Sequence, residues 1–391
     1  MTQDDATRSS HGPADRSAIL DWFALCSPPL FGAATALLLV CGFASSALAD
    51  RIILRNLKTY NEPVANFDED GLKLQSGTEL TWDEVEAGTV AAADQERFDK
   101  TLAALGEPLY RIRQRLTTGD YEGVLESAEK VYPVYAQRSS PTAYMVFQAL
   151  MWGRLEAGRR EAAVEPYLRC LEYLRARAGR VDGFPGDRRL RVDLKTGLTP
   201  ELALVWFDKE AAAAALDGVR DTVRTMKAPR PVGAYLMYAT LALTAGNTEE
   251  AQRFLATVDE SDGVLTQLRD IALAQQEVQS GEPGAAVDKL ANSIDKLSPG
   301  AKPLAQYWIA RAHLNRDAAP TQLDGVLEML RVPALYGDQF PELAAAGLYD
   351  AMNRLAELGD NPGSVAVRRE LLTQYPGTVY AKKVKAASAL P

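Results

Sequence analysis

Between Asp50 and Gly88 apolar and polar residues alternate: Leu72 and Leu74 with Lys73 and Gln75, then Leu80 and Trp82 with Thr81 and Asp83. A period of two is the signature of half-buried strands, and the breaks at Glu69-Asp70-Gly71 and Ser76-Gly77 suit hairpin turns. The pattern predicts a small antiparallel β module over residues 50–90 with three or four strands. So short a segment has a thin core of its own, so it is expected to lean on the first helices. From about Asp94 the apolar spacing becomes helical. A glycine, a polar residue and an amphipathic run then recur at Gly119, Gly158, Gly246, Gly281 and Gly359. Gly119 to Gly158 is 39 residues and Gly246 to Gly281 is 35, spacings that mark a repeated pair of helices. The gaps of 88 residues after Gly158 and 78 after Gly281 each have room for two units, with NRDAAPTQLDGVL around Asp317 as a degenerate turn in the second.

These turns and their flanks resemble the tetratricopeptide repeat family, whose unit is an antiparallel helix pair of about 34 residues. In the Gly246 copy, Tyr235, Tyr238 and Ala239 occupy the large and small positions of helix A, while Ala251, Leu255 and Val258 line the buried face of helix B. The matching residues are Phe147, Leu150, Ala163, Tyr167 and Cys170 around Gly158, and Leu273, Ala274, Ala286 and Leu290 around Gly281. Tyr375–Ala381 (YPGTVYA) looks like the inter-repeat link of exported bacterial members, with Thr378 placed to cap a last short helix. Copy lengths vary, Val124 replaces the usual alanine after Gly119, and Asn361-Pro362 shifts the register after Gly359. The resemblance therefore implies a mainly α fold over residues 94–391: an irregular hairpin array of the tetratricopeptide-like solenoid type. The β module in front resembles the SH3-like modules of some exported bacterial proteins.

Residues 179–207 interrupt the array. GRVDGFPGDRRLRVDLKTGLTP is rich in Gly, Pro and charge, which favours a long ordered loop. It runs into Trp206-Phe207, expected to plug a gap between helices. Asp208 then caps a new helix that ends before Pro229 and Pro231.

The first 49 residues change the setting. Trp22 to Ala49 carries no charge and closes on Ala47-Leu48-Ala49, the small-x-small pattern of a signal-peptidase site. A cleaved secretory signal is expected, giving a periplasmic or cell-envelope protein. An uncleaved anchor is the alternative, since about 20 apolar residues span a bilayer, and membrane association through Trp22–Ala49 stays open. Cleavage removes four Asp and two Arg and takes the net charge from −9 to −7. That balance argues against a nucleic-acid surface. Cys170 and His313 would be the only cysteine and histidine left, so no intrachain disulfide and no usual zinc set is expected.

Candidate chemistry is sparse. His313 lies in a helix-like stretch without a nucleophile elbow. Asn66–Gly71 begins like a calcium loop, but Gly77 stands where the twelfth-position acid is required, so it reads as a hairpin turn. Arg188, Arg189, Arg191 and Lys195 form the one concentrated basic patch. No catalytic residue, cofactor or metal is expected. The expectation is a non-catalytic scaffold binding a protein or peptide in a helical-repeat groove. By family-like position the groove residues would be Gln148, Trp152, Leu236, Thr240, Gln275, Tyr307 and Arg311, unless the insertion fills the groove itself. The alternative is a carboxylate-dependent hydrolase or lyase of cell-envelope polysaccharide, which needs two carboxyl groups converging in a cleft.

Overall fold

The period-two segment folds as six short strands, two more than the upper expectation. A computed structural model describes residues 50–181, 183–258, 262–281, 284–316 and 318–389. The apolar stretch Trp22–Ala49, the Ala47–Ala49 cleavage site and Asp317 of the degenerate turn are among the residues outside that description. The strands are β1 (Arg51–Leu54), β2 (Thr59–Tyr60), β3 (Val64–Asp68), β4 (Gly71–Leu74), β5 (Glu79–Leu80) and β6 (Val85–Thr89). They form two antiparallel sheets, ordered β2-β1-β6 and β3-β4-β5. Leu72, Leu74, Leu80 and Trp82 are buried, as their alternation requires. The extra strands contribute little of their own to the core. β3 buries only Phe67 fully and β6 only Val85, so no alternation marks them.

Fourteen helices follow among the described residues: α1 (Ala92–Thr118), α2 (Leu125–Tyr135), α3 (Pro141–Glu156), α4 (Val164–Ala176), α5 (Lys209–Thr225), α6 (Val232–Ala245), α7 (Thr248–Leu255), α8 (Gly263–Ser280), α9 (Ala285–Ser293), α10 (Lys302–Leu314), α11 (Ala319–Tyr336), α12 (Pro341–Glu357), α13 (Asn361–Gln374) and α14 (Val379–Ala389). Sequence neighbours pack as hairpins: α1 with α2, α3 with α4, α6 with α7, α8 with α9, α10 with α11, and α12 with α13. All five turn glycines found in the sequence have left-handed backbone, with φ between 73° and 86°. At Gly246 the chain closes a Schellman motif, Gly246 N–H to Leu243 and Asn247 N–H to Ala242, and the Asn247 side chain then caps α7. A side chain at Gly246 would strain this conformation, so glycine plus an Asx residue writes the hairpin into the sequence.

The 78-residue gap holds one complete extra hairpin, α10/α11. The 88-residue gap does not. Between α4 and α6 it adds one helix, α5, capped by Asp208 as expected and preceded by the long loop. The helices separate into two kinds. α3, α6, α10 and α12 are buried nearly all round, whereas α7, α9 and α13 each bury only two described residues. An all-round apolar helix must sit between neighbours, and a one-sided one covers it. The first kind forms an inner layer and the second an outer one.

The β module shares its core with the helices. Ile52, Trp82 and Phe98 pack in one cluster with Leu105, Leu109 and Phe147. The acidic β3–β4 turn adds a polar clasp: Arg138, after α2, pairs with Asp70 at 2.7 Å, with Asp68 at 3.4 Å and closely with Glu69. The carboxylates that suggested a calcium loop thus face a guanidinium, and no cluster of metal-ligating side chains occurs among the described residues. No helix among the described residues is long and apolar enough to cross a membrane.

Gly71 in this turn has φ 153°, and a Cβ there would lie 2.2 Å from the Leu80 carbonyl oxygen. Gly71→Ala should therefore cost about 2–3 kcal/mol by combining backbone strain with a clash against main chain. Urea unfolding with tryptophan fluorescence measures it; an unchanged midpoint would mean that β4 and β5 do not approach so closely at this turn.

Candidate functional site

The long loop is held by two adjacent residues of the Gly158 turn. Arg160, 8% exposed, donates from Nη2 to the Ala203 carbonyl at 3.0 Å, from Nη1 to Glu201 at 3.2 Å and from Nε to Val205 at 3.4 Å. Glu161, 3% exposed, accepts from the Phe207 N–H at 2.8 Å and the Asp208 N–H at 3.2 Å. One side chain therefore satisfies alternate carbonyls of the segment that leaves the 3-10 turn Pro200–Leu202, and its neighbour satisfies the amides that follow. A buried main-chain group without a partner costs about 1–3 kcal/mol, so these contacts fix the path of residues 201–208. Burial works against the charge of Arg160, and nearby Glu342, Glu161 and Glu201 favour it. The turns at Gly246 and Gly359 continue with an Asx cap; the Gly158 turn continues with Arg159-Arg160-Glu161 and a short 3-10 turn over Glu161–Ala163.

The segment so held fills the space expected to be the groove. Leu202, Leu204, Val205 and Trp206 are all buried, and Trp206 Nε1 donates to Thr240 Oγ1 at 2.9 Å. Trp206 plugs the gap between helices as the sequence suggests. Six of the seven expected groove residues are buried: Gln148, Trp152, Leu236, Thr240, Gln275 and Tyr307. Gln275 donates to the Thr240 carbonyl at 3.2 Å and to Thr244 Oγ1 at 3.0 Å. Trp152 Nε1 lies 3.4 Å from Gln148 Oε1, and the Arg188 guanidinium of the insertion stacks 3.8 Å from a Trp152 ring centroid. Tyr307 donates to Asp350 at 3.1 Å and accepts from Arg311, the one member that stays partly exposed. The insertion thus covers two of these positions, Thr240 through Trp206 and Trp152 through Arg188, while Gln148, Gln275 and Tyr307 are held by residues of the helices themselves.

An opening remains where the last helices meet the first complete inner hairpin. α14 begins at Thr378, whose hydroxyl accepts from Ala381 N–H, the cap expected from the sequence. Its Val379 side chain sits over Gly158, where a Cβ would come within 2.8 Å of a Val379 methyl. Lys382 Nζ donates to the Glu156 carbonyl at 2.9 Å, and the Tyr380 ring lies edge-on to Phe207, 5.3 Å between centroids. Beside this contact lies a cleft of about 550 Å³, walled by the Gly158 turn, the insertion (Arg188, Arg191, Glu201), the start of α12 (Phe340, Glu342) and the α13–α14 link (Tyr375). Its charges are largely paired: Arg188 with Glu156 and Arg191 with Glu201, both at 2.9 Å. Glu342 accepts from the Val379 N–H at 3.3 Å. Burial raises its carboxyl above the ordinary glutamate value, partly offset by Arg160.

Sequence patterns missed this site because its walls come from segments up to 226 positions apart. Only the Gly-Pro-rich texture of the two links hinted at exposed loops. His313, set aside on sequence grounds, lies on α10 with Nδ1 3.3 Å from Glu328, away from the cleft. In comparison with known proteins, no family model matches this chain, no curated protein matches it in sequence and no solved structure matches it.

Two outcomes follow from this geometry. Arg160→Met strands three carbonyls and should cost about 3 kcal/mol or more, with Arg160→Lys recovering little because an ammonium lacks the planar fork; chemical unfolding reads both, and a cost under about 1 kcal/mol would remove Arg160 from its role. Glu342 holds its proton more tightly folded than unfolded, so its contribution to stability falls as pH rises from the ordinary glutamate value through the raised one. Glu342→Gln should gain stability relative to the parent across that window and then plateau. A flat difference between about pH 4 and about pH 8 would show that the carboxyl is not desolvated.

Proposed function

We propose that this chain is an exported, non-catalytic scaffold that binds a protein or peptide partner. Its helical hairpins are of the tetratricopeptide type. Supporting that family reading are the left-handed turn glycines, the alternation of buried inner and half-exposed outer helices, and the fully buried Ala251 where α7 crosses α6. The two small sheets support an SH3-like assignment for residues 50–90. Binding falls at the cleft between the Gly158 turn, the insertion and α12–α14, since the groove itself is occupied. The observation that carries this reading is the cleft: about 550 Å³, lined by paired charges, aromatic edges and loop main chain, within the ordinary size of a ligand site.

A second reading has one observation in its favour. The cleft holds Glu342, with its raised pKa, and Glu201, and an acid of that kind beside a second carboxylate is what glycoside cleavage uses. Turnover of soluble cell-wall polysaccharide by the purified protein, lost in Glu342→Gln, would establish that reading over the first.

For the scaffold, a photo-crosslinking residue at Gln339 or Gln374, both exposed at the cleft rim, should capture the same partner, and one at Leu327 on α11 should not. Capture from Leu327 alone would move the site to the outer layer. N-terminal sequencing tests export: a mature chain beginning at Asp50 in the exported soluble fraction is expected. An intact Met1 start in the membrane fraction would make Trp22–Ala49 an anchor.

A further inference from the structure

A second cleft of about 470 Å³ lies across the α14 contact from the first, and the two share Gly158, Arg160, Phe207 and Val379 as lining residues. The seam between α14 and the Gly158 turn is therefore flanked by space on both sides. A packed interior leaves few voids larger than a water molecule, and a contact bordered by two clefts forgoes much of the dispersion energy that a filled core would give. The seam itself is thin. It consists of the Val379 methyl over Gly158, the Lys382 hydrogen bond to the Glu156 carbonyl and the Phe207–Tyr380 ring contact. The far side of α14 is held more firmly, with Ala381 and Val384 buried and Tyr380 against Tyr349 of α12 at 4.7 Å. If the array parts, it parts at the seam, and α14 leaves with α12.

The polar groups along the seam are readers of main chain. A guanidinium has five N–H donors, and Arg160 gives three of its groups one carbonyl each, leaving two N–H bonds at a residue that lines both clefts. Glu161 and Glu342 accept main-chain amides, from Phe207 and Asp208 in one case and from Val379 in the other. The wall thus carries the donor and acceptor pair that already grips the main chain from the 3-10 turn at Glu201 through the non-helical residues 203–208.

The geometry points to the two clefts being one channel for an extended peptide segment, interrupted at its midpoint by the seam between the Gly158 turn and α14. This rests on the binding reading above and adds the occupant, its extended form and its point of entry. Recognition through main-chain groups makes the channel tolerant of sequence. A peptide that threads it displaces Val379 from Gly158 and separates α14 from the turn.

The test uses the mature chain with Glu156→Cys and Lys382→Cys, bridged across the seam by a reversible bis-methanethiosulfonate linker. Cys170 is fully buried and does not compete for the reagent. The probe is a fluorescein-labelled decapeptide of residues 198–207, LTPELALVWF, followed by anisotropy. The peptide should bind the unbridged protein, bind at least tenfold more weakly once the seam is bridged, and regain its affinity on reduction. Val379→Ala, which thins the seam without touching the polar readers, should tighten binding at least threefold. Equal affinity before and after bridging overturns the channel, as does the absence of binding in every form. Binding of an N-acetylglucosamine hexamer with none of the peptide overturns it in favour of a glycan occupant. Partner capture from Gln339 and Gln374 that persists with the seam bridged leaves the scaffold standing and the channel refuted. Loss of capture at those positions in the unbridged parent as well removes the scaffold reading itself.

Discussion

The fold of the helical array depends on a charge that is expensive to bury. Taking a guanidinium out of water costs several kcal/mol unless its donors are satisfied, and Arg160 is satisfied only if the insertion runs past it with the carbonyls of Glu201, Ala203 and Val205 in step. Glu161 completes the constraint by fixing the next two amides. The second of these belongs to Asp208, the cap of α5. The dipeptide thus determines where a 30-residue excursion ends and where the following helix starts. It also places Phe207 against Tyr380, and so gives α14 its seat. Removing the grip would free the loop, the α5 start and the closure together.

A filled groove redistributes what the array can do. An open stack of helix pairs offers its concave face to a partner. Here Trp206, Leu204 and Val205 enter that space from the same chain and bring a hydrogen bond to Thr240. The space left open lies at the edges of the plug, where its charged loop meets the start of α12 and the end of α13. The arginines of the insertion are consistent with this. Arg188 lies over Trp152 and pairs with Glu156, so the basic patch seen in the sequence covers the inner helices and forms one wall of the cleft. Arg191, by contrast, remains largely exposed beside Glu201.

What the sequence made legible was local. Glycine with a following Asx residue specifies a Schellman turn and a cap within four or five residues, so the hairpins at Gly246 and Gly359 could be read without any tertiary knowledge. Alternation at Leu72, Leu74, Leu80 and Trp82 was equally local. β3 and β6 were not, because they pair through main chain and bury single side chains. The groove residues illustrate a different limit. Helix A positions of Gln148, Thr240 and Gln275 correctly point inward, but whether an inward side chain meets a partner or its own chain depends on where a loop 30 to 90 residues away in sequence comes to rest. Periodicity carries no such information. Arg160 and Glu161 could have been noticed in a turn that breaks the glycine-Asx pattern, since a buried charge needs a reason that a repeat does not supply.

The ends of a repeat array expose apolar inner faces that need covering, and repeat proteins ordinarily cover them with polar terminal units. This chain uses two other devices. At one end the β module shares a core with α1 and α3 and is held by Arg138 on the acidic turn. At the other, α14 lays Tyr380, Ala381 and Val384 over α12 and then reaches the Gly158 turn. Both terminal faces are therefore covered by the chain itself. Closure of this kind demands that the array bring its last helices to a fixed place, and copies of unequal length with one added helix, α5, packed between α4 and α6, are a way to tune that placement. The irregularity that weakens the repeat signal in the sequence is, on this argument, a condition of the closure that creates the cleft.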